Sequence, residues 1–118
     1  MKYDPVKYKQ YERTPIGCFS AEMTASGWAN TKFDHDLQEH LLSDEVSEFV
    51  RLVYHIFKEC ADWQLLETYA KKHGKRSQDG FSTIYTVCYD GDEMDYAMSV
   101  NVNKIMIFPY RKYMHKRS

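Results

Sequence analysis

The sequence predicts an α+β fold: an antiparallel sheet of about 3–5 strands, packed on one face by one long or two shorter helices, in the order β-(β)-α-α-β-β-β. Three observations carry that prediction. Apolar residues recur at three- and four-residue spacing from Val46 to Ala70, the period of a helix with one buried face. After Gly80 the period shortens to two, most cleanly from Met94 to Val102. Between two such runs lies Asp90-Gly91-Asp92-Glu93, a strong hairpin signal. At 118 residues the chain is one domain's worth, enough to bury roughly two-thirds of its unfolded surface without disulfides. It reads as an N-terminal arm over 1–15, a single domain over 16–110 and a basic tail over 111–118, with no internal repeat.

The elements follow in order. The arm carries Tyr3, Tyr8 and Tyr11 among Lys2, Lys7, Lys9 and Arg13, between Pro5 and Pro15. Residues 16–24 make a first strand with Gly17, Phe19, Ala21 and Met23 on one face, and Ala25-Ser26-Gly27 turns the chain. Residues 28–33 are a second strand or a loop. Asp36 and Glu39 fit a capping box for a short helix over 37–42. Ser43 is placed to cap the main helix, with Asp44 and Glu45 favourable at its positive end. Its apolar stripe is Val46, Phe49, Val50, Val53, Phe57 and Cys60, broadened by Leu52 and Ile56 and continued by Trp63, Leu66 and Ala70 to a stop at Gly74. A single helix over 44–73 would be about 45 Å long, so a break near Ala61-Asp62 is favoured.

Residues 81–89 are β-branched and aromatic, as a strand prefers. The next strand, 94–102, sets Met94, Tyr96, Met98, Val100 and Val102 against Asp95, Ala97, Ser99, Asn101 and Asn103, the pattern of a strand covered on one side. Residues 105–110 form the last strand. Tyr85, Tyr89 and Tyr96 are expected to present an aromatic sheet face.

Composition excludes whole classes. Charged residues are 28%, hydrophobic residues 43% and the net charge is -1, which rules out collagen, wholly disordered tails and uniformly basic coats. Acids run from Asp34 to Glu67 against only Arg51 and Lys58, and basic clusters follow at Lys71-Lys72 with Lys75-Arg76 and at the C-terminal end. No apolar stretch approaches a signal peptide or a bilayer span, so no membrane partner is expected. Cys18, Cys60 and Cys88 have no C-x-x-C spacing and read as free thiols of a cytoplasmic protein.

Chemistry-bearing patterns are sparse. Asp34, His35, Asp36, Glu39 and His40 place imidazoles and carboxylates together, but zinc needs three or four ligands and no H-E-x-x-H or second anchored pair is present; they read as a polar capping segment. The 90–95 acids miss the calcium-loop positions. No phosphate loop, dinucleotide fingerprint or nucleophile elbow is present, and no histidine is tied to a cysteine by a local motif. The chain is therefore expected to be no enzyme, with no cofactor and no metal.

Binding is the remaining reading: a small regulator or inhibitor acting through a macromolecular interface, of the kind phages and mobile elements encode. The expected partner-binding residues are Lys71, Lys72, Lys75, Arg76, Tyr110, Arg111, Lys112 and Tyr113, offering rings and cations to an acidic protein partner. Glu45, Glu48 and Glu59 form a second candidate face. Ten tyrosines suit a protein interface, and a homodimer through the sheet or the long helix is a further expectation. The alternative partner is nucleic acid, held by the 71–76 and 110–117 patches. In topology, a helix followed by three antiparallel strands resembles half of a double-stranded-RNA-binding domain, although the basic second helix of that family has little room after Tyr110.

Overall fold

The computed structural model describes residues 15–34 and 41–111. The expected arm, the short helix over 37–42, His35, Asp36, Glu39, His40, Lys112 and Tyr113 fall wholly or almost wholly outside them. The fold is α+β. Strands β1 (Phe19–Thr24) and β2 (Gly27–Phe33) precede helices α1 (Ser43–Glu59) and α2 (Trp63–His73). Then come β3 (Lys75–Asp79), β4 (Ser82–Asp90), β5 (Met94–Asn101) and β6 (Lys104–Arg111).

The six strands form one sheet in the order β2-β1-β6-β5-β4-β3, antiparallel throughout. The two helices therefore link one sheet edge to the other. Register assigns the faces. Val87 pairs Met98, Tyr89 pairs Tyr96, Met98 pairs Ile107 and Ile107 pairs Phe19, and all of these sit in one core with Phe49, Leu52 and Ile56 of α1 and Leu66 and Ala70 of α2. The helices and the sheet thus bury each other's apolar faces, the arrangement that the two periods imply.

Several expectations change. The sheet has six strands rather than 3–5, because β3 (Lys-Arg-Ser-Gln-Asp) is exposed along its whole length. An edge strand needs only ladder bonds to its neighbour, here β4, and polar side chains suit it. This strand, and the β1–β2 hairpin joined to β6, depart from the order of a double-stranded-RNA-binding domain. The helical break is present: α1 ends at Glu59, and Asp62 caps α2 by accepting the Leu65 N–H at 2.9 Å. Leu42 rather than Ser43 stands at the N-cap of α1, and its N–H donates to Glu45 Oε1 at 2.9 Å.

α1 is also rotated from its expected stripe. Phe49, Leu52, Ile56 and Cys60 are buried, whereas Val46 and Val50 are exposed. The rotation carries Glu45 and Glu48 inward, where both find partners. The tyrosine face is reversed: Tyr85, Tyr89 and Tyr96 point toward the helices, and the last two are buried. On the opposite face Cys88, Ala97 and Tyr110 form a second buried cluster with Phe108. β5 is therefore buried on both sides, since its outer residue Ala97 packs into that cluster and Asp95 is buried with it.

Candidate binding groove

α2 is anchored on the sheet chiefly against β4. Leu66 and Ala70 are buried. The Tyr69 and Tyr89 hydroxyls are 2.8 Å apart in a hydrogen bond. Gly74 ends the helix where a side chain would strike the Ala70 carbonyl oxygen and crowd Tyr85, so the chain can pass directly from α2 into β3. Away from these anchors a groove of about 740 Å³ opens between α2 and the tips of the β3–β4 and β5–β6 hairpins. Trp63, Phe81, Tyr85 and Val102 supply its apolar surface; Lys71, Arg76 and Glu67 supply its charge.

Both tips are two-residue turns. Gly80 has φ +63, as the first central residue of a tight hairpin turn requires, and it leaves Phe81 outside the strand. Phe81 is 106% exposed, as open as a side chain can be. Val102 begins the β5–β6 turn at φ 57, a left-handed conformation that a β-branched residue adopts only under strain, and it is 70% exposed. Trp63 is partly exposed at the start of α2 and also borders a smaller cavity of about 360 Å³ against Met23, Thr24 and Ala25. Three large apolar side chains thus face solvent around one concavity, the kind of exposed patch that marks interaction surfaces.

Of the expected binding residues, Lys71 and Arg76 line this groove, and Lys72 and Lys75 are exposed at the same corner, where α2 gives way to β3. Lys71 pairs with Glu67 at 3.4 Å across one helical turn, and both are exposed, so the pair contributes little to stability. Tyr110 and Arg111, the described members of the C-terminal half of the expected patch, do not join them. Tyr110 is 5% exposed within the outer cluster, and Arg111 is the last residue of β6. β6 is three strand spacings from β3, about 14 Å. The residues that sequence reading missed are Phe81 and Val102, assigned to strands, and Trp63, assigned to the buried stripe. The available signal was Gly80-Phe81 ahead of a strand, which allows a two-residue turn with an apolar second position.

The expected acidic face is not a face. Glu45 is 4% exposed, and its two carboxylate oxygens accept from Arg111 Nε at 3.0 Å and Nη2 at 2.9 Å. Glu48 is 8% exposed and enters the β4–β5 loop. Its Oε1 accepts the Asp92 and Glu93 N–H groups, both at 2.7 Å. Its Oε2 accepts the Met94 N–H at 3.2 Å and the Tyr96 hydroxyl at 2.8 Å. A Cβ on Gly91 would collide with this carboxylate. Only Glu59 of the three remains exposed. Burial, with the phenol held to Glu48, raises the pKa of Tyr96 well above the usual tyrosine range.

Two of the thiols are held toward their protonated form. Burial, with Glu59 adding to it, pushes the Cys60 thiol up to about 12, and burial raises Cys18 as well. A protonated thiol is a poor nucleophile. No group of three or more metal-ligating side chains occurs among the described residues, and no helix among them is long and apolar enough to cross a membrane. Comparison with protein-family models, curated proteins and solved structures finds no match.

Proposed function

We propose that this protein is a small non-enzymatic regulator or inhibitor that binds a protein partner through the groove between α2 and the β3–β4 and β5–β6 tips. The observation that carries this reading is the convergence of Trp63, Phe81 and Val102, all exposed, on one concavity of about 740 Å³. Exposing three such side chains together costs solubility, and a partner that covers them recovers the hydrophobic free energy. Aromatic residues and arginine are also the types that dominate binding energy at protein interfaces, and Trp63, Phe81 and Arg76 lie together here.

A photo-crosslinking phenylalanine analogue in place of Phe81 tests the proposal in extract of the source cells. The control carries the same analogue in place of Tyr54, which is exposed on α1. One defined protein adduct from position 81, lost on adding Trp63→Ala, is the expected result. Identical adducts from both positions, or none from either, would refute it.

The nucleic-acid reading keeps one observation in its favour: Lys71 and Arg76 stand beside the rings of Trp63, Phe81 and Tyr85, the mix that single strands use. Glu67 in the same groove counts against it. Affinity for a labelled single strand that falls steeply with salt, with a slope flattened by Lys71→Ala and Lys72→Ala, would move the function to this class.

A further inference from the structure

The groove carries its cations at one end and its exposed large apolar side chains at the other, and that order specifies its occupant. Trp63 opens α2, and Lys71 lies eight residues on, about 12 Å along the helix axis. β3 repeats the order. Arg76 pairs with Tyr85, whereas Phe81 sits beyond the last pair, Asp79 with Ser82, at the hairpin tip. Val102 joins the apolar end from the neighbouring hairpin. Lys72 and Lys75 add positive charge past the cationic end; the acids of the same segments are Asp62, which caps α2 beside Trp63, Glu67, which is paired with Lys71, and Asp79.

Resting on the reading of this groove as a protein-binding site, we infer that its occupant is an extended acidic segment of another protein. An aromatic or branched apolar side chain sits among Trp63, Phe81 and Val102. Carboxylates follow three or four residues away, at Lys71 and Arg76. The spacing comes from geometry: about 12 Å separates the two ends, and an extended chain covers roughly 3.3 Å per residue. The sign comes from charge. Arg76 offers a planar fork that matches a carboxylate, and Lys71 adds a second cation.

The test uses the full chain and fluorescein-labelled ten-residue peptides read by anisotropy. One set carries a tryptophan with two glutamates three and four residues away, in either direction. In matched controls the glutamates become glutamine or lysine, or the tryptophan becomes serine. The glutamate peptide should bind at least about tenfold more tightly than its glutamine and serine controls. Arg76→Glu should erase the difference between glutamate and glutamine peptides, and Phe81→Ser should weaken every tryptophan peptide. Both positions are exposed, so far-UV circular dichroism should show an unchanged fold. Equal binding of glutamate and glutamine peptides would overturn the acidic occupant while leaving the groove a protein site. Tighter binding of the lysine peptide would overturn the charge argument. A dimer in sedimentation, dissolved by Phe81→Ser, would assign the groove to a second copy of this chain instead. Failure of every peptide, with the position-81 adduct still formed, would overturn the extended occupant alone; failure of both would end the groove reading too.

Discussion

Replacing Glu48 distinguishes a carboxylate that holds the fold together from one that waits for a partner. Glu48→Ala removes the acceptor for three consecutive N–H groups, two in the loop and the first of β5, and for the Tyr96 hydroxyl. A hydrogen bond to a charged group contributes about 1.5–3 kcal/mol net. The four bonds share two oxygens, and a cavity of about 280 Å³ borders Glu48, Asp92 and Tyr96 but not Glu93 or Met94, so the terms do not simply add. A loss of about 3–5 kcal/mol is expected for Glu48→Ala. Glu48→Gln keeps one oxygen acceptor but turns an NH₂ toward two donors, and about 2–3 kcal/mol should go. Urea unfolding measures both, with an unchanged m-value as the sign that only stability moved. For a domain of this size the alanine variant should melt roughly 10–20 °C lower. Glu59→Gln is the control, because Glu59 is exposed, and should stay within about 0.5 kcal/mol of the parent. A Glu48→Gln variant as stable as that control would refute the buried-latch reasoning and return Glu48 to the surface.

Three further outcomes follow from the same geometry. Gly91→Ala places a methyl group against the Glu48 carboxylate and the Met94 carbonyl oxygen, so it should destabilise by about 2 kcal/mol or more. In a double-mutant cycle part of that loss should vanish with Glu48→Ala; full additivity would contradict the contact. Val102→Gly relieves left-handed strain of about 1–3 kcal/mol at the cost of about 0.5–1 kcal/mol in glycine entropy, so the urea midpoint should rise. A lowered midpoint would mean that the turn is not strained. Cys60 binds its proton more tightly folded than unfolded, because its pKa rises from 9.0 to about 12, and Tyr69, Tyr89 and Tyr96 shift in the same direction. Stability from these groups is complete below pH 9 and is lost as pH climbs toward 12; equal urea midpoints at pH 8 and pH 10.5 would contradict their burial.

What was legible in the sequence was what periodicity encodes. Phe19, Ala21 and Met23 face inward as their alternation implies, the helix breaks at the capping residue Asp62, and the turn at Gly91 is in place. What was not legible depends on partners distant in the chain. Glu48 looks like a surface acid among surface acids, because the amides that receive it lie more than forty residues away in the 92–94 segment. Arg111 looks like part of a basic tail until β6 brings it to Glu45. β3 carries no apolar alternation, so nothing in its own composition distinguishes it from a solvated linker. The groove was half visible. Its cations stood out as a cluster, while its apolar members come from three separate segments that only the sheet register brings together.

The two helices are held in different ways, and the difference bears on function. α1 is fixed at both ends. Two buried carboxylates tie its first turns to β6 and the β4–β5 loop, and at its far end the Cys60 carbonyl oxygen accepts the Trp28 indole N–H at 3.1 Å while Phe57 stacks on the Trp28 ring at 4.7 Å. α2 has Leu66, Ala70, one cap and one tyrosine pair, and much of its length borders the groove. A groove ligand touches α2 and the hairpin tips and leaves α1 untouched. Binding at the groove should therefore tighten α2 against the sheet. The Tyr69–Tyr89 hydrogen bond reports that motion from outside the groove itself. Hydrogen exchange of the α2 amides should slow on addition of a groove ligand and leave α1 unchanged. Equal slowing in both helices would show that the ligand stabilises the whole domain by mass action and that α2 is no looser than α1.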